Sequence, residues 1–210
     1  TLVYVDGTQG WVGVSDNTEA KVDKQYVAAT GGTVITSGDH KTHVFTSTSA
    51  LCVSSAGNSS GSNTVDYFVI GGGGSAAGFY FGGGGGAGAG GYRASYNSET
   101  SGGGGSSETA LTVNDNTALT VTVGGGGAIR ASGAGAATNG SNSVFSTITS
   151  TGGGASHTNS NGIAGGSGGG GGGCHYGQTS EGGAASAGEG YKGGDAVSYT
   201  HLTLPTNREV

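Results

Sequence analysis

Residues whose types suggest a metal site are His40, His43, His157 and His175, with Cys174 beside His175. Zinc sites draw ligands from tight pairs such as C-x-x-C or H-x3-H. Only His40 and His43 approach such a spacing, so the histidines read as surface or strand-side residues and no metal is expected. A second chemistry is outlined by Val65–Ile70 followed by Gly71-x-Gly73-x-x-Ala76, the skeleton of a dinucleotide-binding turn. That turn must open a helix whose N-terminus receives the pyrophosphate. The residues that follow, Gly78-Phe-Tyr-Phe-Gly-Gly-Gly, cannot make that helix, and no Gly-Lys-Ser/Thr stands ready for a P-loop. Acids are sparse, serine and threonine are everywhere, and no spacing singles out a nucleophile, a base or a carboxylate pair. The expectation is a protein that is not an enzyme and has no cofactor.

What remains are residues suited to gripping a surface. Tyr and Arg are enriched in binding patches because they add rigid contact area and hydrogen bonds. Tyr92-Arg93-Ala-Ser-Tyr96 and His175-Tyr176 have that character, which makes Tyr92, Arg93, Tyr96, His175 and Tyr176 the candidate receptor contacts. Such loops suit carbohydrate or outer-membrane protein surfaces. Phe79, Tyr80 and Phe81 read rather as cover for glycine layers.

The elements that must position these residues are written in an unusual composition. Of 210 residues 51 are Gly, only 10% are charged and the net charge is −6. The usual glycine level is about 7%. Ordering Gly costs more backbone entropy than ordering any other residue, so the chain needs an unusual way to recover it. Leu, Ile, Val and Phe make up roughly 15%, under the level that warns of disorder, yet the high net charge of a disordered chain is missing. A thin core is expected, with glycine segments packed backbone to backbone. The acidic balance without a basic patch argues against nucleic acid, and no run is long and apolar enough for membrane insertion.

Short β-branched or aromatic runs bounded by Gly, Ser, Asn or Asp predict strands at Thr33–Thr36, His43–Thr48, Leu51–Val53, Val65–Ile70, Ala110–Val113, Leu119–Val123 and Val144–Thr149. No helical period is persuasive. The fold class is therefore all-β, a small sandwich-like module. A β-hairpin leader is expected over residues 1–16 around Asp6-Gly7, a linker over 17–28 and the glycine-rich β domain over 29–196. A weak repeat organises that domain: Val65–Ile70 into Gly71–Gly74, Leu119–Val123 into Gly124–Gly127, and Val144–Thr149 into Gly152–Gly154. Strand tips would then feed glycine segments at one end of the sandwich. Collagen is excluded, since it needs Gly at every third position with abundant Pro. Two readings of the tracts at 82–91, 102–105, 124–127 and 165–173 stand side by side. They form polyglycine-II-like packing, or they are loops ordered only in part.

Residues 197–210 break with the rest, carrying the only Pro and no Gly. Val197–Thr206 reverse-translates to the read-through of a transposase-based sequencing adapter. The segment is read as an adapter artefact on a metagenomic fragment and set aside from fold reasoning.

Taken in order, Ala29-Thr-Gly-Gly-Thr33, His43-Val-Phe-Thr-Ser47, Asn63-Thr-Val-Asp-Tyr-Phe-Val-Ile70 with Gly71–Gly74, the 82–91 tract before Tyr92-Arg93, and Asn142-Ser-Val-Phe145 before Thr151–Gly154 resemble the glycine-rich domain of marine bacteriophage tail-fibre proteins. The leader Tyr4-Val-Asp-Gly-Thr-Gln-Gly-Trp11 is similar to the segment that precedes that domain. The resemblance spans residues 1–196, and its specificity lies in the order of motifs that are individually simple. One departure is Ser49-Ala-Leu-Cys52, where many relatives carry a Gly-Thr-Phe-type turn. The resemblance implies a virion location in the tail fibre and a structural or adhesive role in host attachment. It implies two kinds of partner: a host cell-surface receptor, either glycan or outer-membrane protein, and other fibre subunits, with a homotrimer by analogy. A Cys52–Cys174 disulfide is open to an extracellular particle, whereas assembly in a reducing cytosol favours two free thiols. The rival reading is an extracellular or cell-surface glycine-rich matrix protein with mechanical work only. A glycan-degrading tail enzyme is a weaker third, for want of converging acids.

Overall fold

The computed structural model describes residues 2–6, 10–13, 23–78, 83–128, 137–173 and 179–197. Its regular elements are antiparallel strands, so the protein is all-β. At the N-terminus β1 (Leu2–Asp6) and β2 (Gly10–Gly13) pair with Val3 opposite Val12 and Tyr4 opposite Trp11, which is the expected leader hairpin. Five strands then make the main sheet: β3 (Ala28–Thr30), β6 (Ser49–Ser55), β11 (Thr117–Thr122), β12 (Ser143–Phe145) and β13 (Ile148–Ser150), in the order β13-β12-β11-β6-β3. Three two-stranded ladders accompany it: β4 (Thr33–Ser37) with β5 (His40–Val44), β7 (Thr64–Val65) with β10 (Leu111–Thr112), and β8 (Phe68–Ile70) with β9 (Tyr92–Ala94).

The alternation written in β6 sets the inner face. Leu51 and Val53 are buried while Cys52 and Ser54 face out, and Leu51 pairs across with Leu119. Two small clusters share the space between the main sheet and the shorter ladders. Val53, Ala56 and Val113 are joined by Val27, Ala29, Val65 and Leu119, and Tyr67, Val69 and Ile148 by Leu111 and Phe145. This is the thin sandwich-like core that the composition allows.

Several strand boundaries move for local reasons. The run at 65–70 is two strands, because Asp66-Tyr67 leaves the ladder and turns the Tyr67 ring into the core. The run at 144–149 is a hairpin, folded at Ser146, whose φ of 55° places it in the left-handed region. The second strand of the β4–β5 hairpin begins at His40, three residues early, because Gly38 at φ 54° supplies the turn. Strands β3 and β9 have no apolar alternation to announce them.

Beyond the strands lies the feature that dominates the molecule. Strand β8 runs into an extended segment at 71–75, β11 into 124–128 and β13 into 151–156, while a segment at 83–91 runs into β9. These segments pack side by side with a further one at 137–142 and with the stretches 161–173 and 180–196, each of which folds back on itself (Gly169 donates to Ile163, Gly193 to Gly183), and the lateral bonds recur at every third residue. The N–H groups of Ser167, Gly170 and Gly173 donate to the carbonyls of Ala89, Gly86 and Gly83 at 2.9, 2.8 and 2.5 Å. Gly71 and Gly74 donate to Gly91 and Gly88, and Gly72 and Ser75 to Ser141 and Thr138. A pleated strand serves two neighbours on opposite sides. A three-residue repeat serves several neighbours around one segment, which is the polyglycine-II pattern, and of the two readings of the glycine tracts the structure adopts the packed one. The tract at 102–105 is the exception: it closes a turn with Gly103 at φ 65° and Gly104 at φ 74°.

Segment 151–156 lies deepest, with residues 152–156 all buried, and all its N–H groups and the carbonyls of residues 151–155 are bonded. Gly153, Gly154 and Ser156 donate to Gly72, Ser167 and Ser75. Thr151, Gly152 and Ala155 donate to the side chains of Glu189, Asn142 and Asn139. The carbonyls of residues 151–155 accept from Gly91, Gly166, Gly140, Gly88 and Ile163.

The need for glycine is steric and uneven. A Cβ on buried Gly153 would overlap the Gly88 carbonyl oxygen, and one on Gly169 the Ala155 oxygen, whereas at Gly86 and Gly125 it would meet nothing within 4 Å. Gly153→Ala and Gly169→Ala are therefore expected to lower unfolding free energy by at least about 2 kcal/mol, since the displaced neighbour is backbone. Gly86→Ala and Gly125→Ala should leave it unchanged or raise it by up to about 1 kcal/mol, by restricting the unfolded chain. Chemical denaturation of the four variants checks the contrast; equal losses at all four positions would contradict the packed array.

Candidate functional site

The Tyr92–Tyr96 run divides into support and display. In β9 both Tyr92 and Arg93 are half-buried and Ala94 is fully buried. The Arg93 guanidinium grips Glu108 in a fork, Nε to Oε1 and Nη2 to Oε2, both at 2.7 Å, and its Nη1 donates to the Thr149 carbonyl at 2.9 Å. Glu108 also accepts from the Tyr67 hydroxyl at 2.7 Å and the Ser101 hydroxyl at 3.2 Å. Each of these bonds is charge-assisted, hence stronger than a neutral one. The cluster ties β9 and β13 to the loop around Glu108, and it commits the whole of Arg93 internally.

Its electrostatics follow from that geometry. Hydrogen bonding from Arg93 holds the Glu108 carboxyl below its ordinary value, and the same bond raises Arg93. Burial, then the bond to Glu108, pushes the Tyr67 hydroxyl from 10.0 up to about 12. Burial also pushes Tyr92 up to about 12, helped by the Glu99 carboxylate to which its hydroxyl turns.

Tyr96 is the displayed residue, with 48% of its surface exposed. Ser95 anchors the base of its loop: Ser95 Oγ donates to Asp66 and accepts from the Tyr67 N–H. The Glu99 N–H closes the turn onto the Tyr96 carbonyl at 2.8 Å. Between them Asn97 and Ser98 take φ of 49° and 60°. Such non-glycine residues store of the order of 1 kcal/mol or more each and persist only where surroundings hold them. The β4–β5 hairpin, exposed along nearly its whole length, reaches the same place. The His40 ring stands perpendicular to the Tyr96 ring, centroids 6.4 Å apart.

His175 and Tyr176, with Cys174 and the aromatic run at 79–81, lie outside the described residues. His43 Nδ1 sits 2.7 Å from the Gly31 carbonyl and His157 Nδ1 2.7 Å from that of Thr158. No three His, Cys, Asp or Glu side chains converge for a metal among the described residues, and Cys52 is a free, exposed thiol. The glycines at 71–75, where a nucleotide turn was weighed, are an extended segment of the array. Two shallow grooves lie elsewhere. One, of about 350 Å³, is walled by glycine backbone at residues 85–86 and 168–171, and its Asp195 is ion-paired to Lys192 at 2.8 Å. The other, of about 360 Å³, lies on the outer face around Cys52. Neither gathers reactive groups.

Comparison with protein-family models, curated proteins and solved structures finds no match to this chain.

Sequence reasoning missed His40 as a neighbour of Tyr96, because 56 residues of chain separate them and only the hairpin brings them together. It also missed Glu108, whose role depends on an arginine fifteen residues away.

Two pH signatures follow. Because the folded Glu108 has a lowered pKa, its contribution is complete above the unfolded value of 4.5 and is lost as pH falls through the folded one. Glu108→Gln should cost about 1.5–3 kcal/mol near neutrality, and the wild-type and variant stabilities should converge in acid; a gap constant down to pH 2 would contradict this. At the alkaline end Tyr67 and Tyr92 are raised, so their contribution is complete below pH 10 and is lost as pH rises through about 12. Phenolate absorbance should show two tyrosines ionising in a separate late step, and Tyr67→Phe should remove one of them.

Proposed function

We propose that this protein is a non-enzymatic structural and adhesive module of a bacteriophage tail fibre, which attaches to a host surface through loops held on a glycine-rich scaffold. The observation that carries the reading is the division of labour in the chain. A body whose interior is hydrogen-bonded backbone presents almost no reactive side chains. One aromatic loop, buttressed by an internal Arg93–Glu108–Tyr67 cluster, is held out to solvent. Rigid aromatic display at low entropic cost is what binding surfaces use. The ordered motifs that resemble marine phage tail-fibre domains supply the biological setting, a virion component with a host receptor and other fibre subunits as partners.

The mechanical reading, an extracellular matrix or cell-surface protein, draws on the same array but gives the Tyr96 loop no task. The two separate in a cell-binding assay. Fluorescently labelled protein is expected to decorate at least one strain in a broad bacterial panel and to compete there with phage adsorption. Decoration of no strain, with self-assembly into filaments intact, would favour the mechanical role.

A further inference from the structure

We infer that the surface where Tyr96 meets the tip of the β4–β5 hairpin is a carbohydrate site for an uncharged pyranose. The inference rests on the attachment reading above and names the ligand class. Three observations converge on it. The Tyr96 ring is half-exposed with His40 set perpendicular to it, an aromatic surface of the kind against which the apolar C–H face of a sugar ring packs. Beside that ring the exposed side chains of His40, Asn97 and Ser98, like those of Asp39 and Lys41 in the same hairpin tip, make no hydrogen bond to the described residues. Some comparable groups are spent internally instead: Asn58, Asn139, Asn142 and Asp115 all bond backbone. A polyhydroxylated ligand matches a mixture of uncommitted donors and acceptors around an aromatic ring. Finally, Asp39 and Lys41 flank His40 with opposite charges and the exposed Glu99 closes the Tyr96 turn, so these groups supply no net positive field to select an acidic sugar or a phosphate.

The same features argue against a protein as the occupant. Specific protein interfaces bury about 1,200–2,000 Å² and centre on a desolvated apolar cluster. Here the ring's established neighbours, His40 across the gap and Asn97 and Ser98 next in its loop, are polar. The loop is also fixed before any ligand arrives, by the Ser95 bonds and the left-handed pair Asn97-Ser98. A shallow site that makes few contacts gains most from such preorganisation.

The test uses the full chain on an array of immobilised neutral, sialylated and phosphorylated oligosaccharides, alongside the bacterial panel with and without periodate oxidation of surface sugars. Binding to one or more neutral glycans is expected, weakened about tenfold or more by Tyr96→Ala and clearly weakened by His40→Ala. Tyr96→Trp should retain it, as should Tyr191→Ala, which removes another exposed tyrosine. Thermal melts of each variant separate loss of binding from loss of fold. Binding confined to acidic glycans, neutral-glycan binding indifferent to Tyr96→Ala with the fold intact, or binding to no glycan at millimolar concentration would each overturn the inference. Cells that are bound but whose binding survives periodate would overturn the sugar and leave attachment standing, with a protein as receptor. Cells that are not bound at all would overturn attachment itself.

Discussion

Glycine backbone is costly to order and has no side chain to bury, so a quarter-glycine chain folds only if its peptide groups find each other. In this protein they do so by lateral hydrogen bonds that recur every third residue. Fixing a residue costs about 1–2 kcal/mol of backbone entropy, and a net hydrogen bond returns about 0.5–1.5 kcal/mol. A segment bonded along one edge therefore falls well short, whereas a segment bonded to several neighbours, with both N–H and C=O engaged, comes nearer to balance and adds close-packed dispersion contacts. Segment 151–156 is the limiting case, bonded to segments 71–75, 83–91, 137–142 and 161–173. Asn139 and Asn142 fill the remaining valences with their side-chain oxygens. The same closeness makes the array intolerant of a Cβ at its centre and permissive at its rim.

The apolar sandwich serves that array as its starting block. Strands β8, β11 and β13 are held in register by a few valines, Leu51, Ile148 and Tyr67, and each releases its chain into the array from a fixed point. The joint between the two regions is polar. Glu189 accepts from the Thr151 N–H through its side chain and from the Tyr92 N–H through its carbonyl, while Arg93 links Glu108 to Thr149. A loop mounted on that joint inherits the rigidity of both sides, which is why Tyr96 can be held out on two strained residues.

Much of this was legible in the sequence. Alternation in Ser49–Ser55 and Thr117–Thr122 marks the main sheet, and the passage from β-branched residues directly into glycine marks where three array segments begin. The array itself was only one of two readings, because glycine runs of the same composition serve equally as flexible linkers. The tract at 102–105 shows the limit: its letters match those of 124–127, yet it closes a turn. Strand β9 was hidden because Tyr-Arg-Ala has no apolar period; its inward contacts are made by an arginine that finds its carboxylate in the fold.

For the candidate site the division is similar. Residue type alone marked Tyr92, Arg93 and Tyr96 as a cluster suited to contact. Tertiary structure gave them different tasks, since Glu108 holds Arg93 inward and Tyr92 is half-buried in β9 while Tyr96 stays outside. It also supplied His40, which no local pattern connects to Tyr96. Sequence by itself determined the all-β class, the thin core and the strand-to-glycine hand-over, because these depend on residue type and short-range period. Only the tertiary structure decided that the glycines pack, which of them must be glycine and which tyrosine of the Tyr92–Tyr96 run faces solvent, because each depends on what the folded chain places within a few ångströms.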